Sequence, residues 1–315
     1  MLSRYPNRIH FSLLPLLVVL GLMLSGSLTS CSKSTDGKRG TQPLYVATIQ
    51  PLASILEEIV GDRGDVFCLL KVGSSPHTYD VTPSDAVKVE SARGVFWVHH
   101  KVDGWVTSFE NPDNFMVFDF VPGDMKREFQ GVHNHEEEVG GDEHDYDPHF
   151  WTSPKVVKAI VPKLVETLSA LDPESAVVYA ANGEKLADKL DSLSAEVADK
   201  LRPYEGEMLL LFHPSFLYYM DEFGLELAGV IEPFPGKEPT PKYILDLVHI
   251  IEEHNVKAIF TEPQLPAAPA ETISWETGLP VVIIDPIGGY SGRETYFELI
   301  RYNTRQIVAA FSGSD

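Results

Sequence analysis

Two cysteines in 315 residues are too few for a disulfide framework, and by count they leave no thiolate zinc site. One of the pair, Cys31, ends a leader-like stretch, so Cys68 stands alone beyond it and the body of the chain has no intrachain bridge to form. Stability must therefore come from the core. Positive charge is also scarce: 25 Lys and Arg face 46 Asp and Glu, a formal net charge of −21. That balance argues against nucleic acid, whose binding is driven largely by cationic side chains neutralising phosphates. A negative field concentrates cations instead. No HExxH or other helical histidine pair of the metallohydrolases is present either.

What the chain does have begins with the apolar run Leu13–Leu24, behind Arg4 and Arg8 and with no acid before Asp36. This is the pattern of a secretory signal, too short to serve comfortably as a spanning helix. It ends in Leu28-Thr29-Ser30-Cys31, which resembles the bacterial lipobox; the resemblance implies a lipid on Cys31 as the first mature residue. Removing residues 1–30 takes away two arginines and no acid, so the net charge moves from −21 to −23. The reading divides the chain into a leader (1–30), a polar tether (31–43), a first lobe (44–172), a linking helix (173–202) and a second lobe (203–315).

The stretch His133–Trp151, HNHEEEVGGDEHDYDPHFW, holds four of the eleven histidines among many acids. Imidazole with carboxylate suits borderline divalent metals such as zinc. Its front, with His133, His135 and His144 around Gly140-Gly141, reads as a mobile collector in the segment 131–147; a merely solvating acidic loop has no need of imidazole. Its end, Asp147-Pro148-His149-Phe150-Trp151, reads as a fixed ligand, because Pro148 restricts the backbone and the aromatic pair can be buried.

Apolar runs at 44–49, 66–70, 95–98 and 115–119 are expected as strands, with helices over 51–60 and 83–92. The pattern restarts at Met208, with strands over 208–212, 225–231, 258–261 and 281–284 and helices after Pro214 and over 242–254, 267–277 and 294–311. The fold class is α/β, two βα lobes of similar build with mostly parallel sheets. Between them run two helices, Pro154–Leu171 and Glu174–Leu201. In the second, Ala180, Leu186, Leu190, Leu193 and Val197 form an apolar stripe, which Gly183 weakens slightly. At about 28 residues it would span about 42 Å, enough for a strut joining the lobes.

In such sheets ligands sit beyond the carboxyl ends of the strands. His77, His213, Glu262 and Asp285 each follow an expected strand, and with His149 they offer donors from both lobes. A zinc hydrolase with Glu262 as its base, and a metal-free adhesin, are the rival classes. Assays on ester, peptide and phosphate substrates with zinc would separate the first, and metal titration the second. The runs PLASILEEIVGD, SPHTYDVTPSDA, DPHFWTSP, FHPSFLYY, TEPQLPAAPAETISWETG and IDPIGG carry a family resemblance. Over residues 44–308 they resemble, in order, the receptors of bacterial zinc and manganese ABC importers, of the ZnuA and TroA type.

The resemblance implies two lobes closing over one metal in the cleft between them, with His77, His149, His213 and Asp285 as ligands. Its implied partners are a membrane permease and its ATPase subunit. Family members selecting manganese tend to carry glutamate at the third ligand position; His213 stands there, so Zn2+ is expected as the cargo, ahead of Mn2+ or iron. Glu262, His133, His135 and His144 are auxiliary candidates. Two departures stand out: Pro214-Ser215 replaces Asp-Ala after the third histidine, and His99-His100 replaces Asn-Gly.

Overall fold

Successive residues of a strand point to opposite faces, and the strands here are apolar on both, so each sheet needs a cover on each side. The computed structural model describes residues 42–128, 146–233 and 239–313. In it β1 (Leu44–Ala47), β2 (Asp65–Cys68), β3 (Gly94–Trp97) and β4 (Asn114–Met116) form a parallel sheet in the order β2-β1-β3-β4. A second parallel sheet, β5 (Met208–Leu211), β6 (Glu226–Val230), β7 (Ile259–Thr261) and β8 (Val281–Ile283), has the equivalent order β6-β5-β7-β8. Tyr45, Ala47 and Phe96 enter a large central cluster while Val46, Val95 and Trp97 face a smaller outer one. In the second sheet Leu209 and Leu211 face the centre and Leu210 the outside.

The helices are α1 (Gln50–Val60), α2 (Pro83–Ser91), α3 (His100–Asp103), α4 (Pro154–Leu171), α5 (Ala176–Leu201), α6 (Leu217–Phe223), α7 (Pro241–His254), α8 (Ala268–Thr277) and α9 (Tyr296–Ser312). Their starts follow from local chemistry. Proline opens α1, α2, α4 and α7, where its missing N–H costs nothing. Thr82 with Asp85 and Thr295 with Glu298 build reciprocal capping boxes on α2 and α9. The central helix α5 packs on α1 and α4 from one side of the molecule and on α6 and α9 from the other. Its 26 residues reach about 39 Å. Among the described residues no helix is long and apolar enough to cross a membrane.

Three sequence expectations are corrected. Ala180 is exposed, and Tyr179 takes its place on the buried stripe with Leu186, Leu190, Leu193 and Val197. Gly183 is buried where α4 meets α5: a Cβ there would stand 2.5 Å from Val165 Cγ2, so the glycine permits the close approach that the helix pair is built on. The strand expected over 115–119 ends at Met116, and a 3-10 turn, Val117–Phe120, follows.

In each sheet the strand order reverses beside its first strand, which opens a crevice at the carboxyl ends. In the first lobe an internal carboxylate fills it. Asp103 accepts from Thr48 Oγ1 (2.5 Å), Val98 N (2.8 Å) and His99 N (2.9 Å). In the second lobe the same place holds His213 and Glu262, after β5 and β7.

Candidate metal centre

His77 lies in a 3-10 turn, Pro76–Thr78, and its Nδ1 is 2.9 Å from the Lys101 carbonyl of α3. His149 begins a second such turn, Phe150–Thr152, and its Nδ1 is 2.7 Å from Asp147 Oδ1, which also accepts the His149 backbone N–H at 3.0 Å. His213 Nδ1 faces the Glu232 carbonyl at 3.4 Å. Each Nδ1 therefore meets an acceptor and carries the ring proton, which fixes the tautomer and leaves each Nε2 with a bare lone pair.

Those three lone pairs converge. His149 Nε2 is 3.4 Å from His77 Nε2 and 3.3 Å from His213 Nε2, with the rings steeply inclined to one another. Acceptors facing acceptors repel unless a cation lies between them. Ligands at zinc's usual bond length of about 2.0–2.1 Å, placed at the corners of a tetrahedron, are about 3.3–3.4 Å apart. The separation found is the edge of that tetrahedron.

Burial disfavours a charge on His77 and on His213, and a neighbouring imidazole adds to this. Burial first, then His149, pushes His77 down to about 4; burial first, then His149 and His77, holds His213 well below the ordinary imidazole range. Metal ligation needs the neutral form, and His77 and His213 are already in it at neutral pH.

Donor atoms within 4.8 Å of one another are, among the described residues, those of His77, His149 and His213; neither Asp285 nor Glu262 joins the group. Asp285, expected as fourth ligand, is fully buried and pairs with Arg293 at 2.8 Å. Glu262 lines the same narrow pocket, of about 10 Å³, as the three histidines, with Ser215 and Gln264. Its Oε1 accepts from Ser215 Oγ at 2.5 Å. Burial first, and Asp285 further, push its carboxyl up to about 8 in the metal-free protein despite the Ser215 bond. His99 caps α3 by accepting from Lys101 N at 3.2 Å, and His100 packs against Trp97; neither belongs to the cluster. Cys31, His133, His135 and His144 lie outside the described residues.

Other functional residues had no clear mark in the sequence. Asp147 orients His149, and a carboxylate two residues before a histidine is the one signal that pointed to it. Trp151 Nε1 donates to the Pro286 carbonyl at 2.8 Å, and Tyr218 OH donates to the Asp147 carbonyl at 3.1 Å, so the second lobe grips the His149 segment at two points.

The fold and the site together define a class: a two-lobed receptor with its ligand site in the cleft. The profile described as zinc-uptake complex component A, periplasmic (ZnuA) matches residues 46–310, and the chain belongs to that family. The high-affinity zinc uptake system protein ZnuA of Brucella abortus (strain 2308) is 28% identical over 308 residues, covering 86% of this chain and 91% of that one. The zinc-binding lipoprotein AdcA of Streptococcus pneumoniae (strain ATCC BAA-255 / R6) is 26% identical over 277 residues, 85% of this chain; the chain spans 54% of its length. A crystal structure of ZnuA superposes with a TM-score of 0.75 at 25% identity, covering 85% of this chain and 99% of the other.

Proposed function

We propose that this chain is the extracytoplasmic receptor of an ABC-type zinc importer, which takes Zn2+ between its lobes on His77, His149 and His213 and hands it to a membrane permease driven by an ATPase subunit. The convergence of three bare imidazole Nε2 atoms, that of His149 lying 3.3–3.4 Å from the other two, carries this reading. Three nitrogen donors favour zinc over manganese, which prefers carboxylate and water oxygens. A lipid on Cys31 keeps the receptor at the membrane. His133, His135 and His144 collect zinc weakly and raise its concentration near His149, a few residues along the chain. The family match over residues 46–310 favours a carrier over a hydrolase.

The deciding experiment is elemental analysis of the purified protein followed by competition titration with zinc and manganese. Stoichiometric zinc, bound far more tightly than manganese and weakened by about 100-fold or more in His213→Ala, is the expected result. His249→Ala and His254→Ala, on α7 and away from the cluster, leave the affinity unchanged. Zinc binding that survives His213→Ala would overturn the assignment.

A further inference from the structure

Both carboxylate oxygens of Asp285 already have partners, and Asp285 stands outside the histidine cluster. Oδ1 accepts from Gln264 Nε2 (2.9 Å), Ile287 N (3.0 Å) and Gly288 N (2.9 Å), and Oδ2 is paired with Arg293 Nη1 at 2.8 Å. The backbone is fixed as well: Asp285 N donates to Asn303 Oδ1 and Asn303 Nδ2 to the Asp285 carbonyl, both at 2.7 Å.

Arg293 is delivered to this place by a tight turn. Gly288 and Gly289 have φ of 78° and 85°, Gly289 N donates to the Arg293 carbonyl at 2.9 Å, and a Cβ on Gly288 would stand 2.7 Å from that carbonyl. Only glycine fits there without displacing the backbone. The guanidinium then lies against two rings, 4.6 Å from the centre of Tyr290 and 4.3 Å from that of Tyr302, with the side chain 15% exposed. A cation held by two aromatic faces and a buried carboxylate is ordered before any metal arrives.

One polar atom in the pocket is left over. Gln264 Oε1 is buried without a hydrogen-bond partner among the described residues, in the pocket that the three histidines line. Because Gln264 Nε2 must face the Asp285 oxygen, the amide cannot turn round, and its oxygen is an acceptor waiting for a donor.

We propose that Arg293 is a metal-selectivity residue: it withholds Asp285 from the bound ion, so that zinc is held by three imidazoles and a water donating to Gln264, and manganese lacks the carboxylate it would require. The inference rests on the zinc-receptor reading and names what sets its preference. Asp285 then positions Gln264 and the turn rather than ligating. Removing Arg293 leaves a buried carboxylate without its counter-ion, and a cation bound in the adjoining pocket, which Gln264 lines, would be favoured to replace it.

The test uses the mature protein and its Arg293→Met, Arg293→Lys and Arg293→Met/Asp285→Asn variants. Zinc and manganese affinities are measured by competition, and the Co2+-loaded wild type is titrated with azide while its visible spectrum is followed. Expected are a spectral change with azide in the wild type, as the water is displaced, and a gain of about tenfold or more in manganese affinity relative to zinc in Arg293→Met. Arg293→Lys restores the wild-type ratio, and the double variant loses the gain. An azide-silent wild-type spectrum, or an unchanged metal ratio in a folded Arg293→Met, overturns the inference. Should Arg293→Met not fold, Arg293→Gln takes its place in the same competition, with the same gain expected and the same unchanged ratio overturning the inference. A wild type that takes up neither zinc nor cobalt defeats the receptor reading itself, which is a different failure.

Discussion

The imidazoles of His77 and His213 resist protonation because burial and their neighbours penalise the charge, and this turns into a pH dependence with a definite sign. In the unfolded chain they take protons near pH 6.5, in the folded one His77 does so at about 4. The unfolded state binds more protons in between, so the stability these groups contribute is present above about 6.5 and is lost as pH falls through about 4. Urea midpoints of the metal-free protein, taken relative to His77→Gln, are expected to hold level above about 6.5 and fall across that window; Glu262 and Asp103, whose carboxyls burial raises, act in the opposite direction on the total and cancel in the difference. Zinc should stay bound at about pH 5.5, where a site of ordinary histidines is largely protonated; release near 6.5 would show that these rings are not shielded. Asp147→Asn, which removes a charged acceptor from His149 Nδ1, is expected to weaken zinc by about 10–100-fold with little change in the melting temperature of the metal-free protein. The three histidines were legible because each follows a strand or sits in a proline-stiffened turn. Arg293 was not, since its contact with Asp285 depends on two glycines reversing the chain, and sequence spacing does not say where a reversed side chain lands.

At the scale of elements, periodicity placed the long helices well: α4 was expected over the residues it occupies, and α5 begins two residues later than read. Short elements escaped. The four residues of α3 carry no measurable period, yet α3 supplies the carbonyl that orients His77. Gly183 was read as a weakness by propensity, because propensity knows nothing of the neighbouring helix. Its contact with Val165 makes a sharp prediction. Gly183→Leu should destabilise the protein by about 1–3 kcal/mol in urea unfolding through overpacking, and Val165→Ala in the same chain should recover part of that loss. A neutral Gly183→Leu would mean that α4 and α5 can separate freely.

The whole molecule repeats one sheet order twice and uses the two crevices differently, closing the first with Asp103 and giving the second to His213. The duplication was readable from alternating runs, whereas the plug by Asp103 was not, because Asp103 follows its strand on a helix the sequence did not reveal. The central cluster runs without a break from Tyr45 in the first sheet through Leu190 of α5 to Ile300 of α9, so the lobes share a core. One cooperative unfolding transition is therefore expected, and zinc at about 100 times its dissociation constant should add about 2.7 kcal/mol. Two separated transitions in calorimetry would show that the lobes fold independently.

Two of the three imidazoles, His77 and His149, hang from the first half of the chain, and His213 alone comes from the second. The second lobe also grips the His149 segment through Trp151 and Tyr218. For a receptor that must give up what it holds, this division sets the denticity of the ion. Any motion that parts the halves at this point must first break those two hydrogen bonds, and it would carry the His213 ring away from the other two without unfolding either sheet.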